Sequence, residues 1–140
     1  MNSIFDSLEK SIGSPLPRAL VSAVESESIP HENLMFETED KKVAGWIVDF
    51  LVTKSAMQEA ENCETEYREF ASSGWIPRNL LPVAVVANGD RILISVEGTD
   101  AGNVYYWAWS EEPEPPTNSY KYMRRIASGF DSFLAGLKTA

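Results

Sequence analysis

The apolar positions of the chain change period several times, and each change marks an element. Ile4, Phe5, Leu8 and Ile12 fall on one side of a helix starting near Ser3, with Asp6 three residues on as a weak capping box. Gly13 ends it, and Ser14-Pro15-Leu16-Pro17 leads to a second helical stretch carrying Leu20, Val21 and Val24. From Val43 to Thr53 the period falls to two, the signature of a strand. Trp46, Val48, Phe50 and Val52 then share one face, and Gly45, Ile47, Asp49 and Leu51 the other. Ser55 to Ser72 returns to helical spacing, with Met57, Ala60, Cys63, Tyr67 and Phe70 toward the core. Its opposite side holds Glu59, Glu61, Glu64, Glu66 and Glu69.

The most regular block follows. Leu80 to Val86 reads as a buried strand, Asn88-Gly89-Asp90 as a tight turn, and Ile92 to Val96 as the returning strand. A second turn, Gly98 to Gly102, leads to Val104-Tyr105-Tyr106-Trp107-Ala108-Trp109, so three strands form an antiparallel meander. Three prolines within Glu111 to Pro116 predict a stiff, exposed loop. A closing helix is predicted over about Arg125 to Lys138, carrying Ile126, Phe130, Phe133, Leu134 and Leu137. The fold class is α+β, with an antiparallel-rich central sheet of about 4–6 strands flanked by N-terminal, middle and C-terminal helices.

Composition narrows the function classes. The 140 residues are 44% hydrophobic and 24% charged, ordinary values for one globular domain spanning residues 1–140. No run approaches the roughly 20 apolar residues needed to span a bilayer, and the first residues lack the basic start and apolar core of a secretory signal. A single cysteine, Cys63, cannot form an internal disulfide, which fits a reducing compartment and a cytoplasmic location.

The net charge of −9 is unevenly spread, with 12 acidic and 4 basic residues between Glu25 and Glu69. Phosphate binding needs concentrated Lys and Arg, so a nucleic-acid partner is disfavoured. A basic protein partner would be steered toward such a region, although acidity also serves plain solubility.

Catalytic constellations are sparse. The one histidine, His31, lies in a polar loop, and Cys63 sits on the core face of its helix, where a thiol behaves as a small hydrophobe. One Cys and one His fall short of the roughly four ligands of a zinc site. The Gly98–Gly102 turn lacks the lysine of a phosphate-binding loop. The 21 acids offer many carboxylate pairs without singling out two. No enzyme, cofactor or metal is therefore expected; an unrecognised activity would need a concave pocket with a perturbed carboxylate or histidine. Tyr105, Trp107 and Trp109 share a strand face that serves either as core or as a protein-binding row.

Four segments carry a family resemblance. Leu8-Glu9 through Gly13 with Leu16-Pro17 is one, and Trp75-Ile76-Pro77-Arg78-Asn79-Leu80-Leu81-Pro82-Val83-Ala84 is the second. The third joins Asn88-Gly89-Asp90 and Ile92 to Val96 with Gly102-Asn103-Val104-Tyr105-Tyr106-Trp107. The last is Ile126-Ala127-Ser128 with Phe130, Phe133, Leu134 and Leu137. Together they resemble the SUKH superfamily, the domain of the yeast Smi/Knr cell-wall regulators and of many bacterial immunity proteins. The chain departs from the glycine-containing end of that family's second helix, having Ser26-Glu27-Ser28-Ile29-Pro30 there.

The resemblance implies a non-enzymatic α+β domain that binds and neutralises a polymorphic toxin, such as a nuclease whose basic active site an acidic surface can mimic phosphate to fill. Candidate binding residues are Glu37, Glu39, Asp40, Glu59, Glu61, Glu64 and Glu66, with Trp46 and Asp49 secondary. A regulatory adaptor similar to the fungal members is the alternative. The expected state is a monomer or weak homodimer without nucleic-acid or membrane partners.

Overall fold

A computed structural model describes residues 5–30, 33–59 and 62–139. Its frame is a six-stranded sheet of β1 (Leu34–Glu37), β2 (Ala44–Phe50), β3 (Leu80–Val86), β4 (Arg91–Ser95), β5 (Val104–Trp107) and β6 (Met123–Ala127). The strands pair in sequence order, and every pair is antiparallel. Among the described residues there are also five helices: α1 (Asp6–Ile12), α2 (Arg18–Glu25), α3 (Lys54–Met57), α4 (Cys63–Ser72) and α5 (Phe130–Ala135).

The sheet curls until its two edges meet. The ring of Phe36 in β1 stacks on Tyr106 of β5, with centroids 5.5 Å apart, across the inside of the curl. The N–H of Glu39, just past β1, donates to the carbonyl of Arg125 in β6 at 2.9 Å. Met35 and Lys138 exchange both backbone hydrogen bonds, at 2.7 and 3.0 Å, so the C-terminal segment covers the free edge of β1. Unpaired edges template association, and here they are capped by the chain itself. Gly45 permits the curl locally: a Cβ there would meet Phe36 Cε1 at 3.2 Å and Val86 Cγ1 at 3.3 Å.

Two apolar clusters lie on opposite faces of the sheet. The inner one joins Ile47, Phe50, Ile92, Ile94, Val104 and Tyr106 to Leu8, Leu20, Val24, Phe130 and Phe133 from α1, α2 and α5. The outer one is built on Phe70 of α4 with Leu80, Leu93 and Trp107, and Trp75, Tyr105, Trp109 and Tyr120 pack against it. The aromatic row is packed rather than open: Trp107 is fully buried and meets Phe70 edge-on at 5.1 Å, with Tyr105 and Trp109 half-buried beside it.

The structure corrects several expectations and adds a strand that the sequence pattern leaves unassigned. The single helix over Ser55–Ser72 is two. Asn62 takes an extended conformation and forms a capping box with Thr65, starting α4 afresh, while Thr53 caps α3. Ala60 lies outside the described residues, as do Ser3 and Ile4 of the first helix. The closing helix begins at Phe130 rather than Arg125, because Met123–Ala127 pair with β5. Leu34–Glu37, too short to stand out by pattern, is drawn into β1 by β2. Finally, Trp109 leaves the β5 strand for a 3-10 turn (Trp109–Glu111), and within the proline loop Glu112 is buried.

Phe36 is 1% exposed and joins the first strand to the far side of the curl. Phe36→Ala should lower unfolding stability by about 3–5 kcal/mol, the usual cost of emptying a buried aromatic site. Denaturant titration measures it; a loss below about 1 kcal/mol would mean the curl does not depend on this contact.

Candidate functional site

Strand β2 carries an irregularity that decides which side chains reach solvent. Ile47 pairs with Val86 and Asp49 with Val85, so one extra residue, Val48, is accommodated between them. Such a bulge resets the alternation of faces. Ile47 and Phe50 both turn inward and are buried, whereas Trp46, Val48 and Asp49 are all exposed. The strict period-two reading had placed Phe50 beside Trp46 and Asp49 beside Ile47. The bulge brings Asp49 onto the same side as Trp46 instead.

Most of the candidate acids are engaged within the protein. Glu37 meets Lys41 at 3.5 Å, and Glu39 pairs with Arg125. Asp40 meets Arg124 at 2.7 Å. Glu64 meets Arg68 at 2.5 Å and accepts from the Ser7 and Ser11 hydroxyls, both at 3.0 Å. Glu66 takes both arms of the Arg91 guanidinium, at 2.7 and 2.9 Å, a bidentate geometry that adds strength and fixes orientation. These contacts tie the β1–β2 turn to β6 and hold α4 against α1 and β4.

Asp49, Glu59 and Glu69 have no ion-pair partner among the described residues. They converge on one hollow of about 370 Å³ beside α4, whose wall also includes Val85 and Thr65. Asp49, Leu51 and Glu59 also border a second hollow, of about 160 Å³, that reaches Val48 and Pro30. Glu61 and His31 lie outside the described residues. Glu69 belongs to this group although its place on an acidic helix face did not distinguish it. The signal that would have found it, the absence of a cationic neighbour, is long-range.

Three further acids are structural. Asp90 is buried and accepts from the Tyr106 hydroxyl, the Ser110 N–H at 2.8 Å and the Asn88 amide at 3.1 Å. Asp100 accepts from Ser95, Tyr105 and Tyr120, each at 2.8 Å. Burial alone would raise its pKa, but these three hydroxyls outweigh that and hold it below 3.8. Glu112 receives the Trp107 indole N–H at 2.9 Å and the Thr117 N–H at 3.0 Å. Buried polar groups need such partners, and these have them.

Chemistry of the nucleophilic kind is poorly provided for. Cys63 is fully buried 3.3 Å from the Met57 sulfur, and burial pushes its thiol up to about 12. Among the described residues, no group of three or more His, Cys, Asp or Glu is placed to hold a metal ion. Nor is any described helix long and apolar enough to cross a membrane.

The fold is thus an α+β domain of the curled-meander kind, with exposed acids and, on β2, the exposed Trp46 and Val48. A family model described as the SMI1 / KNR4 family (SUKH-1) matches residues 3–136, and the chain belongs to that family. No curated protein and no solved structure matches it.

Two outcomes test these placements. Hydrogen bonds from the Thr38 hydroxyl and the Lys42 N–H, together with Arg124, hold Asp40 down from 3.8 to about 2. Its folded-state value is depressed, so its stabilising contribution is complete above about 3.8 and is lost as pH falls through about 2. Carboxyl NMR should show Asp40 titrating near 2; an ordinary midpoint of 3.8 would mean the turn is not held as described. The Cys63 thiol should resist a thiol-specific dye at pH 8 in the native protein and react on unfolding, and rapid native labelling would contradict its burial.

Proposed function

We propose that this protein is an immunity protein that binds a basic polymorphic toxin domain and neutralises it by covering its active site. Family membership supports the class of partner, since the bacterial branch of this family is built to bind other proteins. The observation that carries the reading further is the set of carboxylates left without cations, Asp49, Glu59 and Glu69, around a single hollow. Charges already matched inside a protein gain little from a partner, whereas unmatched ones steer and hold an oppositely charged surface. A nuclease active site, basic because it binds phosphate, is the toxin chemistry that such a surface suits. The protein acts in the cytoplasm, where a lone thiol such as Cys63 stays reduced.

Affinity capture from lysate of the source organism, at low and high salt, is the first test. The expected partner is basic, released by salt, toxic when expressed alone and tolerated when this chain is co-expressed. Asp49→Lys with Glu59→Lys should weaken that complex about 10-fold or more, while Glu39→Gln should change it little. Capture of cell-wall or signalling proteins, with no toxic partner, would favour the adaptor role seen in fungal relatives.

A further inference from the structure

The described residues leave two large hydrophobic side chains exposed, Trp46 at 36% and Val48 at 45%. Scattered singly, exposed apolar residues need no explanation. These two are neighbours on β2, with half-buried Met35 opposite Trp46 on β1. On β4 and β5 the outer face of the sheet is covered, since Phe70 and Trp109 pack over Leu93 and Trp107. Among the described residues, nothing comparable covers the outer face of β1 and β2 at Trp46 and Val48. The bulge at Val48 then sets Asp49 at its border, and beyond it lies the hollow lined by Glu59 and Glu69.

We propose that this face docks a basic protein segment whose apolar side chain seats on Trp46 and Val48 and whose arginine enters the hollow of Asp49, Glu59 and Glu69. The inference deepens the immunity reading and rests on it for the biological identity of the partner. An apolar centre with a tryptophan and a charged border is the composition of interface hot spots. Charge complementarity selects the occupant, because among the described residues the border carries carboxylates without ion-pair partners and no unpaired cation lines the hollow. Arginine suits it better than lysine: a planar fork of donors can serve two carboxylates at once and stack on an indole. The surface also departs from simple phosphate mimicry. Glu39, Asp40 and Glu64, among the more obvious acids by sequence, are already neutralised and do not line the hollow, and Glu66, which does line it, has its charge taken by Arg91.

The test uses the full chain and a defined probe, the amide-capped peptide Arg-Leu-Arg-Leu-Arg, with lysine and glutamate counterparts. Titration followed by amide and indole NMR should shift Met35, Trp46, Val48, Asp49 and Glu59, saturably and more tightly for arginine than for lysine. The glutamate peptide should leave them unmoved. Trp46→Ala should weaken binding about 10-fold or more, and Asp49→Asn should weaken it less but reduce its salt dependence. Asp40→Asn is the control and should leave affinity within about 2-fold. Because Trp46 is only partly exposed, Trp46→Ala is titrated under conditions where its amide spectrum shows it fully folded, which separates lost docking from lost folding. Shifts on another face, no saturable response, or indifference to Trp46→Ala would overturn the proposal. The two readings fail separately. A localised peptide response without any captured toxin leaves the surface standing and sinks immunity; a captured toxin indifferent to Trp46→Ala and Asp49→Asn does the reverse.

Discussion

Contact between Phe36 and Tyr106 brings β1 against β5, although three strands lie between them in the sheet. Only a strongly curled sheet permits it, and right-handed twist accumulating over six strands supplies the curvature. Once curled, the two edge strands face each other, and their unpaired backbone groups must be satisfied at the seam. The chain does this with the Glu39–Arg125 and Met35–Lys138 hydrogen bonds, and the ion pairs of Glu39 and Asp40 with Arg125 and Arg124 stand beside them. Residues about 85 positions apart are thereby brought into register. Exposed pairs of this sort contribute little each, so their part is to fix geometry while the Phe36 and Tyr106 rings carry the burial.

The same curl explains why β2 departs from regular alternation. Its inner side must present bulk to α5 on one end and leave room for the Phe36 ring on the other. Phe50 meets Phe133 with centroids 6.4 Å apart, while Gly45 lies under Phe36. Inserting Val48 lets Ile47 and Phe50 both point inward, three positions apart. The cost of that packing falls on the outer side, where Trp46, Val48 and Asp49 remain in solvent. An exposed apolar and acidic face thus follows from the demands of the core.

Much of the fold was legible because local pattern and tertiary demand agree there. Leu80 to Trp107 reads correctly as a meander, since its apolar runs are bounded by glycine turns that fix the hairpins. Apart from the local caps that split the Ser55–Ser72 helix, the failures share one cause, which is that short segments take their state from partners distant in sequence. Leu34–Glu37 and Met123–Ala127 become strands through pairing with β2 and β5. Ile126 and Phe130 keep a helical spacing of four residues although one is in a strand and the other in a helix. The candidate site was legible only as a region. Trp46, Asp49 and Glu59 were among its named residues, but the bulge leaves no mark in a period-two pattern. Whether an acid is matched by a cation depends on contacts such as Glu66 with Arg91, 25 residues away.

Net charge is therefore a poor guide to where this protein would bind. Of its 21 acids, Asp90, Asp100 and Glu112 are absorbed by hydrogen bonds within the fold. Five more are absorbed by Lys and Arg. What remains on β2 and the facing side of α4 is small in number but concentrated, and it adjoins the exposed tryptophan. Concentration matters because screening confines each exposed charge to a range of about 8–10 Å, so only neighbours act together on an approaching partner. The carboxylates would govern how often a basic partner arrives in a productive orientation, and the apolar strand how long it stays. Neither half suffices alone: a bare acidic rim binds any cation weakly, and a bare tryptophan does not choose between partners. Their adjacency, produced by one extra residue in one strand, is what would give this face, as proposed, the capacity to discriminate.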